Sequence, residues 1–155
     1  MKRSRTIKEF TMNICAGPER IFPLLCPVRE YEWIQPWKCE VVYTNSGIAE
    51  LDCVFKTQFP EDGPEDTWVV SRYEPPKRIE FIRVNSLRSI RYSIEIISQQ
   101  RGSSRAIWKQ VITGLNKEGD DFVNSITDVT YNEEMALLEK MINHFLKTGD
   151  LMKLT

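Results

Sequence analysis

The 155-residue sequence has a single histidine, His144, and no run of apolar residues approaching the roughly 20 that a membrane helix needs. Its four cysteines, Cys15, Cys26, Cys39 and Cys53, form no C-x-x-C pair and have no histidines spaced to complete a metal site. These absences argue against a zinc centre and against stable membrane insertion. The basic start, Met1-Lys2-Arg3-Ser4-Arg5, runs into a strand-like segment and not into the apolar core of a signal peptide. The expectation is a soluble, cytoplasmic protein whose reduced thiols serve as small buried hydrophobes. Charge of one sign is also missing, since 21 Lys and Arg stand against 22 Asp and Glu for a formal net charge of −1. Without a basic patch interleaved with aromatics, nucleic acid is not an expected partner. A nucleophile elbow, a phosphate-binding glycine loop and a dinucleotide fingerprint are all lacking, so no cofactor is expected and catalysis has no visible apparatus.

What is present is patterning. An apolar fraction of 41% is enough to bury one core, and residues 1–155 read as a single domain. Thr6 to Ile14 alternates Phe10, Met12 and Ile14 with polar residues, which is the period of a half-buried strand. Two short helices follow, over Pro18 to Leu25 and Val28 to Trp33, the second ending before Pro36. From Trp37 the alternation returns in six further strands: Trp37 to Tyr43, Ala49 to Thr57, Thr67 to Tyr73, Lys77 to Val84, Ser89 to Ile97 and Ala106 to Thr113. Turn-forming residues separate them, with Asn45-Ser46-Gly47 and Pro75-Pro76 the clearest. Glu118 to Asp121 closes the sheet, and Phe122 to Val129 is open between helix and β-branched loop.

The best-specified element is the last. Between Asn132 and Lys147, Met135, Leu138, Met141, Ile142, Phe145 and Leu146 recur at helical spacing and make a stripe wide enough to need a sheet as cover. Thr130 and Glu133 match a capping box at its start, and Gly149 suits a left-handed cap at its end.

The resulting fold class is α+β: a curved antiparallel sheet of seven strands around a long C-terminal helix, with two short helices after the first strand. This order resembles the helix-grip fold of the START-related superfamily, which includes polyketide cyclases, birch-type pollen allergens and coenzyme-Q-binding proteins. The likeness covers essentially the whole chain. Glu30-Tyr31-Glu32-Trp33-Ile34-Gln35-Pro36-Trp37, Ser46-Gly47-Ile48-Ala49-Glu50 and Lys147-Thr148-Gly149 look like a bacterial branch of it. The resemblance implies a hollow between sheet and helix that takes an apolar or amphipathic small molecule such as a lipid, polyketide or aromatic metabolite.

The residues offer walls for such a hollow. Trp37, Phe55, Tyr92 and Trp108 share the inward parity of their strands, and Leu138, Met141, Ile142 and Phe145 face them from the helix. Whether these side chains meet and fill the space or leave a gap stays open at this point. Two polar groups join the expected ligand-binding set. Gln110 interrupts the apolar row of the last strand, and its amide must find a ligand, a neighbour or water. Arg83 shares parity with Ile79 and Phe81, where it could hold a carboxylate or phosphate. Glu30 and Glu32 flank the expected entrance, although residues two apart on a helix point in different directions. His144 falls beside Lys140 and Lys147 and is expected to face solvent. The sequence leaves three readings: a binding or carrier protein, a cyclase or dehydratase-type enzyme, and a protein-interaction module without a ligand. A homodimer is compatible with each.

Overall fold

Seven strands of alternating burial make one antiparallel sheet in the computed structural model, which describes residues 2–154. The strands are β1 (Arg5–Ile14), β2 (Glu40–Tyr43), β3 (Val54–Thr57), β4 (Asp66–Glu74), β5 (Arg78–Val84), β6 (Arg88–Ser98) and β7 (Ser104–Gly114). Their order across the sheet is β1-β7-β6-β5-β4-β3-β2, so the first strand pairs with the last and every other neighbour is joined through the chain in sequence. Helix α1 (Pro18–Ile21) and two 3-10 turns, Phe22–Leu25 and Glu30–Glu32, lie between β1 and β2. Helices α2 (Lys117–Ser125) and α3 (Asp128–Thr148) complete the chain.

The inward parity of β4 to β7 holds as the alternation requires. Trp68, Val70, Ile79, Phe81, Ile90, Tyr92, Ile94, Ala106, Trp108 and Ile112 are all buried. Register sets aromatics beside one another, with Phe55 opposite Trp68 and Phe81 opposite Tyr92. Their rings touch in series: Phe55–Trp68 centroids lie 5.2 Å apart, Trp68–Tyr92 6.2 Å and Tyr92–Trp108 5.9 Å. Such offset and edge-on pairs add about 0.5 to 1.5 kcal/mol each beyond their area burial.

Several elements differ from the sequence pattern. The strand from Trp37 begins only at Glu40, because residues 37–39 are tied to the preceding segment. The Trp37 indole N–H donates to the Pro27 carbonyl (2.8 Å), and the Cys39 N–H donates to the Tyr31 hydroxyl (2.9 Å). Of Ala49 to Thr57 only Val54–Thr57 is strand. Asp52 has a φ of 69°, a conformation that an Asp tolerates, and this twist puts Leu51 out of parity at 54% exposure. The helix expected over Val28 to Trp33 is a single turn, Glu30–Glu32.

The stretch from Glu118 to Asp121 lies inside α2 and does not close the sheet. Asn116 caps that helix by accepting from the Gly119 N–H at 2.8 Å. Gly119 is required there because a Cβ would stand 1.8 Å from the Leu87 carbonyl oxygen. Helix α3 starts four residues earlier than the stripe, at Asp128, with Thr127 and not Thr130 as its cap. Gly149 ends it in the left-handed conformation (φ 78°), its N–H bonded to the Phe145 carbonyl at 2.7 Å.

The seat of α3 decides where space is left. Its side chains satisfy the free edge of β1: the Asn13 N–H donates to Glu139 (2.7 Å), the Cys15 N–H to Asn143 Oδ1 (2.9 Å), and Asn143 Nδ2 donates to the Asn13 carbonyl (2.9 Å). That covers one edge strand of the sheet. It also draws the second half of the helix towards β1, where Met141 and Ile142 are 3% and 0% exposed. All four cysteines are free thiols; Cys26 and Cys53 are buried as expected, whereas Cys15 is exposed. Among the described residues no helix is long and apolar enough to cross a membrane.

Candidate functional site

A cavity of about 230 Å³ opens between the inner face of the sheet, the segment before β2 and helix α3. The sheet supplies Phe55, Trp68, Phe81, Tyr92, Ile94 and Trp108; the segment supplies Glu30, Ile34 and Trp37; α3 supplies Leu138. Trp37 stands 5.7 Å, centroid to centroid, from Phe59, which extends the aromatic lining. Of the residues expected from sequence, Trp37, Phe55, Arg83, Tyr92, Trp108 and Leu138 meet here.

Met141, Ile142 and Phe145 do not line it. They pack into the core, because the bonds to β1 hold that half of α3 close to the sheet. Gln110 is displaced to a second hollow of about 310 Å³, between β6, β7 and the two C-terminal helices, together with Arg88, Phe122 and Tyr131. The Tyr131 hydroxyl is buried there beside Gln110, and burial pushes its pKa up to about 12. Glu61, Asp62 and Arg83 line both hollows, so the two share a wall.

That wall is a closed cluster of charges. Asp66, at 0% exposure, accepts from Arg83 Nε (2.9 Å) and from Arg88 Nη1 (2.5 Å) and Nη2 (3.1 Å). Arg83 also pairs with Asp62, and its guanidinium lies 4.4 Å over the Trp68 ring. Two arginines thus face two aspartates. Protein carboxylates take Arg83 Nε and Nη2, while its Nη1 makes no hydrogen bond among the described residues.

Glu30 has the opposite surroundings. Its carboxylate lines the cavity, accepts no hydrogen bond and meets no cation within ion-pair distance among the described residues. Burial among apolar walls raises its pKa from 4.5 to about 8. Glu32 turns away and pairs with Arg29 on the surface. The Tyr92 hydroxyl, whose pKa burial also raises well above 10, has only the Met135 sulfur as a neighbour at 3.9 Å. His144 is half-buried and lines neither hollow.

No family model matches the sequence, and no curated protein matches it significantly. Solved structures do. A norcoclaurine synthase point mutant from Thalictrum, in complex with a transition-state analogue, superposes with a TM-score of 0.69 at 11% identity over 95% of this chain and 97% of that one. Ara h 8.0201 gives 0.62 at 14% identity over 94% and 99%. DynU16, a protein of the dynemicin biosynthetic locus, gives 0.64 at 12% identity over 93% of this chain; the chain spans 48% of DynU16. The chain has the helix-grip fold. At these identities the likeness is one of architecture.

The helix-grip cavity also contains residues that parity reasoning passed over. Trp68 and Phe81 sit on the same inward face as Phe55 and Arg83, and the alternation of β4 and β5 carries that signal. Glu30 has no such signal. It stands on a short turn with neither strand nor helix period, so nothing local separates it from Glu32.

Proposed function

We propose that the protein binds an apolar or amphipathic small molecule in the cavity between the sheet and α3, with residues 1–155 acting as one domain. The observation that carries this reading is the row of aromatics facing open space where α3 contributes only Leu138. A packed core would close such a gap, because interiors hold few voids larger than a water molecule. A ligand would gain roughly 25 cal/mol per Å² of apolar surface buried. At about 230 Å³ the cavity is below the usual range of about 300–1,000 Å³ for drug-sized ligands, which favours one or two rings or a short acyl chain. The norcoclaurine synthase complex supports the reading by analogy of fold alone.

An enzyme of the cyclase or dehydratase type is a second reading. Glu30 favours it, because a carboxyl titrating near neutrality in an apolar site suits general acid-base work.

Native mass spectrometry with solvent extraction of the freshly purified protein tests the binding reading. Trp37, Trp68 and Trp108 line the cavity, so ligand entry should also change tryptophan fluorescence. The expected result is a co-purifying small molecule, or a stabilisation of about 2.7 kcal/mol at 100 times Kd by a member of an apolar panel. A protein that is empty and that no member stabilises would overturn the binding reading. Turnover of a polyketide-like substrate lost on Glu30→Gln would favour the enzyme.

A further inference from the structure

We propose that the ligand carries a protonated amine that pairs with the Glu30 carboxylate while its apolar body lies along the aromatic row. This rests on the binding reading above and specifies its chemistry. The charges around the cavity carry it. Arg83 is the one basic residue on the lining, and Asp62 and Asp66 already engage it. Arg88 completes the balance on Asp66 from behind. The lining charges left without an ionic partner are Glu30 and, exposed at the mouth, Glu61. Both are negative. An anionic ligand would meet the carboxyl groups of Glu30 and Glu61, whereas a cation would meet an acceptor that lacks a partner; the indole N–H of Trp108 and Arg83 Nη1, which make no hydrogen bond among the described residues, are left for neutral polar groups.

The walls point the same way. Aromatic rings such as Trp37 and Tyr92 on the lining attract cations through their quadrupoles, as Trp68 already does with the Arg83 guanidinium. Leaving a carboxylate unpaired in apolar surroundings costs stability, and an ammonium group would offset that cost only when bound. Such an arrangement suits a ligand anchor better than a scaffold.

The proposal has a proton signature. The groups facing Glu30 are Glu61 and Asp62 from the β3–β4 connection, Arg83 on β5, Tyr92 on β6 and Cys39 before β2; from α3 comes apolar Leu138. Burial pushes Cys39 and Tyr92 up from values that are already alkaline, so neither titrates between pH 6 and 8. Glu30, raised to about 8, is mainly protonated at pH 7 in the empty protein. A cation binds its ionised form, so the proton must leave.

Calorimetry with three matched probes tests this: 1-naphthylmethylamine, 1-naphthylmethanol and 1-naphthoic acid, each with the wild type and with Glu30→Gln. The amine should bind at least tenfold tighter than the alcohol at pH 8.5, with the acid weakest. Its affinity should rise nearly tenfold per pH unit from 6 to 8 and then level, and titration in two buffers of different ionisation heat should show release of close to one proton at pH 7. Glu30→Gln, with its fold checked by circular dichroism, should cut amine affinity at least tenfold and leave the alcohol within threefold. Equal binding of alcohol and amine, or an amine preference that survives Glu30→Gln, would overturn the amine assignment and leave the cavity reading standing. Failure of all three probes at millimolar concentration would overturn both. If the variant does not fold, the wild type decides, and the absence of proton release on amine binding would sink the assignment.

Discussion

Asp66 is fully buried and Glu30 half-buried, and the two carboxylates differ in company. Asp66 receives three hydrogen bonds from two guanidinium groups, and the cluster is neutral once Asp62 is included. Glu30 receives none. The first charge is satisfied within the protein and holds β4, β5 and β6 together at one end of the sheet. The second is left for something else to satisfy. What separates the two carboxylates is partnership: guanidinium groups close on Asp66, whereas Glu30 stands open on the cavity lining.

Substitutions can break the contrast. The largest effect is expected at Asp66→Asn, which leaves the Arg88 side chain, 1% exposed, without its main counter-charge. Removing one partner of a buried pair typically costs about 3–5 kcal/mol. Urea unfolding measures it, and a loss under about 1 kcal/mol would mean that the cluster is not holding the sheet end.

Next comes Glu30→Gln in the absence of ligand, with the opposite sign. The folded pKa, about 8, lies above the ordinary 4.5, so between these values the folded protein holds a proton that the unfolded chain has lost. Wild-type stability should then fall as pH rises from 4.5 to 8 and level above that. The variant escapes this loss. It should match the wild type near pH 4 and exceed it at pH 9 by an upper limit of about 5 kcal/mol, at roughly 1.36 kcal/mol per pKa unit. A variant less stable than wild type at pH 9 would show that Glu30 has a protein partner after all.

Arg83→Met should cost less than Asp66→Asn, about 1–3 kcal/mol, because Arg88 still serves Asp66 and Arg83 is partly accessible. Thermal unfolding at low and high salt would rank the two variants.

The smallest effect belongs to a third carboxylate, Glu50. It accepts from the Ser46 hydroxyl and from the backbone N–H groups of Ser46 and Asn45 (2.6 and 3.1 Å), and these bonds hold its pKa down at about 2. A depressed pKa contributes stability above 4.5 that is lost as pH falls through 2. Glu50→Gln should flatten acid unfolding in that window by lowering stability at neutral pH and leaving it unchanged below pH 2, a loss that solvent screening keeps small at this exposed site. A shift at pH 7 as large as that of Arg83→Met would overturn this ranking.

The sheet was legible from sequence wherever both faces follow the two-residue period, as in β4 to β7, and α3 wherever its stripe repeats. Legibility stopped where a non-local bond decides. Trp37 alternates properly with its neighbours, yet its indole is held by Pro27, so the strand starts late. Asp52 breaks parity through one backbone angle that residue type permits but does not announce. Helix α2 depends on Gly119 fitting beneath Leu87, more than thirty residues away, and a glycine in a helix otherwise reads as a breaker. At the site, parity named most of the aromatic wall but could not foresee that α3 would lean on β1 and take Met141, Ile142 and Phe145 with it. Nor could it foresee that Asp62 and Asp66 would claim Arg83, since those pairings join residues about twenty positions apart.

The wall shared by the two hollows has a consequence for redesign. It is built around Arg83 and Asp62, an ion pair and not a layer of interlocked hydrocarbon. Replacing both together with small neutral residues removes the partition without stranding either charge. That would join an oily chamber to one lined by Gln110 and Tyr131, while Arg88 keeps Asp66 neutralised. The volume between sheet and α3 is thus adjustable at two positions, with Trp68, which loses the guanidinium above its ring, the one aromatic neighbour disturbed.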